Sequence, residues 1–508
     1  MTVSVGSSLS FGQVARVAAG EDVGIGPGVR ERMAATRAVV ERAVASRRPV
    51  YGISTGIGDL ARVRIDPAEG VRLQHDLVRS HATAVGARLD RATVRAMLLL
   101  KARTLAFGSP GARFEVLERL VAMLNAAVHP VVPAQGSLGA SGDLALLAHL
   151  ALPLIGEGEA EYKGEVMTAG KALAAAGLEP IELSHKEGLT LVNGTEAMLA
   201  LGVLTWLRAQ TLAHTADVTG AMTLEACLGT DRAFDPAVIA LRAHDAAAEV
   251  AGNVRRLLAG SEIVASHRDS EHLVQDAYSL RCIPQVHGAY RGGMDYVRRV
   301  LEDELASAVD NPMVIESSGD VISSGNFHGE ALGLALDHLT LCAAGFATIA
   351  ERRVARLVDA ELSNGLPAFL TTDAGRRSGF MLAQYTAASL VSENRSLCFP
   401  ASADTIPASA GQEDHASMGM TSARKAAAVV SNAEAVIAIE ALCAAQGLDL
   451  RAPVKPSPGT AAALAAIRSV SPMVDEDRSL GPDIEAVRSL VADGALIDAA
   501  AEGAGPLA

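Results

Sequence analysis

The chain has 508 residues, longer than one compact hydrophobic core normally serves, and its 49% apolar content is enough to bury a sizeable interior. Aromatic residues make up only 3%, with Ala and Leu filling the gap, so close-packed helices are expected in place of sheets and the fold class reads as all-α. A net charge of −14, with no Lys/Arg cluster interleaved with aromatics, argues against a nucleic-acid partner and favours a small molecule or a protein.

Residues 1–13 carry no basic segment followed by an apolar core, so no secretory leader is expected there. Up to about residue 190 the pattern is one of short helices broken by Gly and Pro, at residues 24–28, 108–111, 130–133 and 156–158. The most apolar run in this half, residues 144–155, contains His149 and Pro153, and no run is read as long enough to span a bilayer. Four long amphipathic runs follow. The first covers residues 193–229, with Asn193 as the expected N-cap and Glu196 completing a capping box. The second starts at Pro284 and extends to about 309, and the third covers 328–359. The fourth covers 412–446, opened by Ser409-x-x-Gln412 and closed by Gly447, which puts Glu413 in a first helical turn. Such stripes are normally buried in a long bundle. The expected domains are therefore 1–192, built from short helices, and 193–508, the bundle with a C-terminal helical region whose tail from Ala499 is expected to fray. The five cysteines, Cys227, Cys282, Cys342, Cys398 and Cys443, are scattered and lack any CxxC pair, as buried thiols of a reducing, cytoplasmic compartment would be.

Gly136-Ser137-Leu138-Gly139-Ala140-Ser141-Gly142-Asp143 has a chemistry that an ordinary glycine-rich loop does not need. In a tight turn the Gly142 nitrogen can approach the Ala140 carbonyl, because glycine has no Cβ in the way and tolerates unusual dihedrals. Loss of water, the Ser141 hydroxyl included, would leave an electrophilic methylidene-imidazolone. Polar residues also gather at expected helix starts: Ser141 and Asp143, Asn193, Tyr278 and Arg281, Asn326, and Glu413. Taken singly each reads as a cap or a solvated residue. If they converge, the free N–H groups and dipoles make an electropositive pocket suited to a carboxylate. His267-Arg268-Asp269-Ser270-Glu271-His272 lacks a metal-ligand spacing, and Gly52-x-x-x-Gly56-x-Gly58 is neither a dinucleotide nor a phosphate-loop fingerprint, so no metal or nucleotide cofactor is expected.

The Gly136–Asp143 block, with Tyr51-Gly52-Ile53-Ser54-Thr55-Gly56, resembles the aromatic amino-acid ammonia-lyase and aminomutase family, whose members build a methylidene-imidazolone from Ala-Ser-Gly. Further matching blocks are Leu77-Val78-Arg79-Ser80-His81, Leu191-Val192-Asn193-Gly194-Thr195, Gln275 to Cys282, Asp310-Asn311-Pro312, Gly325-Asn326-Phe327-His328 and Gln412-Glu413-Asp414-His415. The resemblance implies a fumarase/aspartase-like helical architecture, a homotetramer with active sites shared between chains, and no membrane association. It makes Tyr51 the base, Arg281 the carboxylate anchor, Asn193 and Tyr278 supports of the cofactor, and Gln275 and Phe327 pocket members. Glu413 is a second candidate for proton handling, and Met381 shapes the ring pocket or simply fills the core.

Within the family the chain is most similar to the branch acting on histidine, through Ser80-His81 and Gln412-Glu413. An imidazole ring left without polar partners in a buried site costs about 1–3 kcal/mol, and His81 and Glu413 can supply them. Ile57, Asp59, Leu146, Gly329 and Cys398 depart from the family's usual residues, which keeps a modified histidine or another polar ring open as substrate. Two further readings stay open: a 2,3-aminomutase on the same cofactor, and a catalytically silent helical scaffold whose loop never cyclises.

Overall fold

The computed structural model describes residues 2–46, 48–270 and 274–508; Glu271 and His272 of the histidine-bearing loop fall outside them. The chain folds into two compact units: residues 1–204, 298–337 and 400–424 form the first, and residues 205–297, 338–399 and 425–508 the second. Architecture is predominantly α-helical, as composition implied. The strands among the described residues are three or four residues long, pair into four small sheets, and all fall in the first unit.

The Arg91–Ala106 helix is the core of the first unit, buried on every face from Thr93 onward. It carries three buried cations, and each is satisfied. Arg95 donates to the carbonyls of Val17, Leu124 and Glu21. Lys101 donates to the Asn193 carbonyl at 2.5 Å and pairs with Glu196 at 3.0 Å. Arg103 donates to the Glu304 carbonyl at 2.9 Å and to that of Ser307. Charges at such depth persist only when paired, so this helix fixes the segments it bonds, the Asn193 turn among them.

Four long helices, Glu196–Ala226, Ile283–Ala306, Glu330–Leu357 and Gly419–Leu450, have most of their residues in the second unit. There a buried polar lattice joins them. Glu440 accepts from Thr219 at 2.8 Å, from Thr223 at 3.0 Å and from Arg353, while Asp217 accepts from His287 at 2.7 Å and Arg291 at 2.6 Å. Two of these helices, Glu330–Leu357 and Gly419–Leu450, are long and apolar enough to cross a membrane, contrary to the reading of the sequence, and their apolar windows are 72% and 78% buried in the fold. Their Ala-rich composition raises hydropathy without bulky side chains, and the burial accounts for it as helix packing.

Three local expectations are corrected. The Gly419–Leu450 helix begins seven residues after Gln412, because Ser409, Ala410 and Met418 all have positive φ and Glu413 pairs with Ala408 through backbone bonds, so Glu413 is not in a helical turn. Asn193 is the C-cap of the Glu187–Val192 helix and not the N-cap of the next; its side chain is drawn to Asp310 and Asn311. The tail does not fray: Ala495–Ala504 is helical, and the Ala508 N–H donates to Asn253 at 2.8 Å.

Candidate active site

The Ala140-Ser141-Gly142 segment is a tight turn at the start of the Leu144–Ala151 helix. Gly139, Ser141 and Gly142 all have positive φ, +85°, +51° and +83°, a conformation that costs a non-glycine residue and is kept only where surroundings impose it. Here the imposing partner is the Asn193-Gly194 turn: the Gly194 N–H donates to the Ser141 carbonyl at 3.2 Å, and the Asp143 N–H donates to the Gly194 carbonyl at 2.7 Å. A Cβ on residue 142 would lie 2.0 Å from the Gly194 carbonyl oxygen, so only glycine fits. The residue whose nitrogen must approach a neighbouring carbonyl is thus bare, compressed and bracketed by two bonds to one opposing turn. These features fit an internally formed ring.

Asp143 is fully buried below this turn. Its carboxylate accepts from Ser137 Oγ at 2.9 Å and from the Met198 N–H at 2.8 Å, in the first turn of the Glu196–Ala226 helix. Burial, partly offset by those bonds, pushes its carboxyl up to about 7. Two helix starts, those of Leu144 and Glu196, therefore converge on the Ala-Ser-Gly turn as the sequence suggested, but a carboxyl group sits between them.

A cavity of about 250 Å³ opens beside the turn, lined by Ala140 and Gly142, by Ser80 and His81, and by Glu413. His81 is the last residue of the Gly70–His81 helix, and its Nδ1 lies 2.9 Å from the Leu77 carbonyl. That contact requires a proton on Nδ1, which leaves Nε2 as an acceptor. Burial lowers the His81 pKa, with the Leu77 carbonyl opposing, so the ring is held neutral. Glu413 is half-buried, and burial raises its pKa above the ordinary carboxylate range. One pocket thus combines a neutral imidazole acceptor with a carboxylate.

Tyr51 is half-buried at the start of a glycine-rich loop, and its phenolic oxygen accepts from the Gly58 N–H at 3.1 Å. Burial raises its pKa, the Gly58 N–H lowers it, and the Glu413 charge raises it; the net shift is upward. Among its immediate neighbours only the Gly58 N–H favours the phenolate. Behind the turn, Asn193 Nδ2 donates to Asp310 Oδ1 at 3.3 Å and to the Asn311 carbonyl at 2.7 Å. Asp310 also receives Lys186 Nζ at 2.6 Å and Thr190 Oγ1 at 2.9 Å, with both members of the ion pair fully buried. Lys186 was not found by sequence reading; its signal was a lysine just before a buried helix, matched to the acidic residue of an Asp-Asn-Pro block.

Phe327 is half-buried in the first unit, with its ring 6.4 Å from that of His328. His328 reaches the His415 carbonyl at 3.2 Å, two residues beyond Glu413. His328, Glu330 and His415 offer metal-capable atoms within 4.8 Å of one another, with His415 Nε2 3.7 Å from Glu330 Oε2. The structure thus brings Tyr51, His81, the Ala-Ser-Gly turn, Asn193, Phe327 and Glu413 into one unit. Gln275, Tyr278, Arg281 and Met381 belong to the second. There Arg281 lies over the Tyr278 ring at 4.7 Å, Tyr278 is 72% exposed, and Met381 opens the Met381–Leu397 helix.

A family model described as aromatic amino acid lyase matches residues 9–469. A histidine ammonia-lyase of Sorangium cellulosum is 51% identical, over 99% of this chain and 99% of its own. Among solved structures, histidine ammonia-lyase from Trypanosoma cruzi superposes with a TM-score of 0.91 at 41% identity, covering 99% of this chain and 95% of its own. A tyrosine aminomutase from Streptomyces globisporus superposes with a TM-score of 0.94 at 36% identity, covering 99% of both chains. Proteins named as an ammonia-lyase and as an aminomutase thus both superpose on this backbone.

Proposed function

The chain belongs to the aromatic amino acid lyase family, and from that premise we infer that it eliminates ammonia from L-histidine to give trans-urocanate. The observation that carries the substrate is the sharing of one cavity by His81, Glu413 and the Ala140–Gly142 turn. A methylidene-imidazolone formed from Ala140-Ser141-Gly142 would supply the electrophilic carbon that makes the amine a competent leaving group.

The surrounding residues do the remaining work. His81 Nε2 and the Glu413 carboxylate are both acceptors, and the neutral substrate imidazole donates its single N–H to one of them at a time. A hydrocarbon ring would cover the half-buried Glu413 without offering it a donor, which disfavours phenylalanine. Tyr51 removes the β-proton, Arg281 pairs with the substrate carboxylate, and Asn193 and Tyr278 steady the cofactor and the reacting group. Gln275, Phe327 and Met381 close the pocket. Exposed Gln275 and Tyr278 are compatible with a homotetramer in which other copies complete each site. Five free cysteines are compatible with a cytoplasmic location. No metal or nucleotide is required.

Purified protein given L-histidine is expected to develop urocanate absorbance. Silence with histidine alongside turnover of phenylalanine or tyrosine overturns the substrate, and a β-amino acid on chromatography overturns the lyase outcome. Replacing Glu413 by Ala is expected to cost about 5- to 150-fold in kcat/KM for histidine, the equivalent of one lost buried hydrogen-bond partner.

The pH profile follows from the directions above. Glu413 must be ionised to accept a proton from the substrate ring, and its raised pKa moves that requirement upward, so kcat/KM falls as pH drops through the Glu413 pKa. Tyr51 must be deprotonated to act as a base, and its raised pKa makes kcat/KM continue to rise into the alkaline range. Tyr51→Phe is expected to remove the alkaline rise and lower kcat by about 10²- to 10⁴-fold, the usual weight of a general base. A rate profile measured on both proteins checks this.

A further inference from the structure

Tyr51 and Glu413 lie on separate loops, and one side chain joins them. The loop following Tyr51 is closed by its own backbone, with Gly56 N–H on the Val63 carbonyl at 2.9 Å and Ile65 N–H on the Ser54 carbonyl at 3.0 Å. Its tip, Gly58-Asp59, is held from outside: the Asp59 N–H donates to Ser409 Oγ at 3.1 Å. One peptide earlier, the Gly58 N–H donates to the Tyr51 oxygen at 3.1 Å. These two N–H groups are consecutive, so the orientation of one constrains the other.

Ser409 is itself fixed. It stands at φ +49°, followed by Ala410 at +52°, and the turn they form is closed by reciprocal backbone bonds between Ala408 and Glu413, at 2.9 and 3.2 Å. Contact with the opposing loop is close: a Cβ on residue 58, whose φ is +55°, would lie 2.3 Å from Ser409 Oγ and 3.6 Å from Glu413 Oε1. Glycine at 58 and a small hydroxyl at 409 are what this approach permits.

We propose that Ser409 is a positioning residue for the elimination: by accepting the Asp59 N–H it holds the Gly58 N–H on the Tyr51 oxygen and sets the Tyr51 loop against the turn that carries Glu413. It is not among the residues that line the cavity beside the Ala-Ser-Gly turn. The proposal rests on the reading of Tyr51 as the base, because a donor on the phenolic oxygen favours the deprotonated form that the base must adopt. The charge acting on Tyr51 from the facing turn is Glu413, His81 lies across the same cavity, and Asp59 on its own loop is paired with Arg62 at 2.7 Å. All of them remain in a Ser409 variant.

Ser409→Ala is expected to lower kcat about three- to tenfold near neutral pH, to leave KM for L-histidine within about twofold, and to move the alkaline rise of kcat/KM up by about half to one pH unit, so that the deficit shrinks at high pH. Ser409→Gly, which loses the same oxygen but relaxes the positive φ, should reproduce that shift. Intact mass showing loss of two waters, and an unchanged melting temperature, would establish that both variants are folded and cyclised. A wild-type pH profile in Ser409→Ala, an equal loss at every pH, or recovery in Ser409→Gly overturns the proposal. If the wild-type chain does not release ammonia from L-histidine, the functional reading falls and this proposal with it. If the wild type turns over and the Ser409 variants show no shift, only the positioning role falls.

Discussion

Ser141→Ala is expected to lower turnover of L-histidine by about 10³- to 10⁶-fold, the scale on which enzymes lose rate when the covalent group itself is removed. The fold should survive. Among the described residues the Ser141 side chain donates no hydrogen bond that holds the turn; what holds it are backbone bonds from Gly194 to the Ser141 carbonyl and from Asp143 to the Gly194 carbonyl. Alanine at φ +51° is strained much as serine is. The variant should therefore melt near the wild type, bind histidine in the His81 and Glu413 pocket, and fail to eliminate. Intact mass supplies the independent readout. The wild-type chain should be lighter than its sequence by two waters, and the variant, having no hydroxyl to eliminate, should retain them. A wild-type chain at full sequence mass that nonetheless turns over histidine would remove the electrophile from the account. A variant at full mass with undiminished turnover would do the same.

The parts of this site that sequence reading found are those whose chemistry is local. Ala-Ser-Gly announces its own reactivity, and Asp143 follows it directly. His81 and Glu413 were legible as polar residues in family blocks, but the backbone that delivers Glu413 was misread. Ser409-x-x-Gln412 imitates a capping box before an Ala-rich run, and nothing in its composition records that Ser409, Ala410 and Met418 take positive φ. Those dihedrals accompany contacts that a capping-box pattern does not contain: the Ala408–Glu413 backbone pair, the Gly58 loop against Ser409, and the Met418 N–H on the Leu138 carbonyl. Asn193 failed in the same way. Its position before Glu196 matches an N-cap, but a buried carboxylate 117 residues away is a stronger partner for its amide than the helix end. The short strands escaped because three residues give no alternation to detect. The long helices were read to within a few residues at most ends because their apolar periodicity is sustained over many turns. What remained hidden was long-range polar pairing: Lys186 with Asp310, Lys101 with Glu196, Ser409 with Asp59.

Asp310→Ala is expected to destabilise the protein by about 3–5 kcal/mol, because it strands a cation in a place without water. Lys186 and Asp310 are both fully buried and meet at 2.6 Å. Burial pulls the Lys186 pKa down, and Asp310 is the neighbour that opposes that pull through charge and hydrogen bond. Without Asp310 the ammonium keeps Thr190 Oγ1 at 2.9 Å as an acceptor but has lost its counter-charge. Asp310 also accepts from the Asn193 amide and from Thr190, so its loss disturbs the turn that brackets Gly142. Stability and activity are expected to separate in a second variant. Lys186→Met combined with Asp310→Leu replaces the pair by apolar side chains of similar volume, a change that in buried ion pairs is often neutral or stabilising. Denaturant midpoints should then return toward the wild type. Turnover should not return with them, because Asn193 would still lack its carboxylate and hold its amide by the Asn311 carbonyl alone. If the double variant recovers both, the Lys186–Asp310 pair serves folding and the orientation of Asn193 does not depend on it. If it recovers stability but turnover stays depressed, the buried ion pair is part of the apparatus that holds the Ala-Ser-Gly turn in working order.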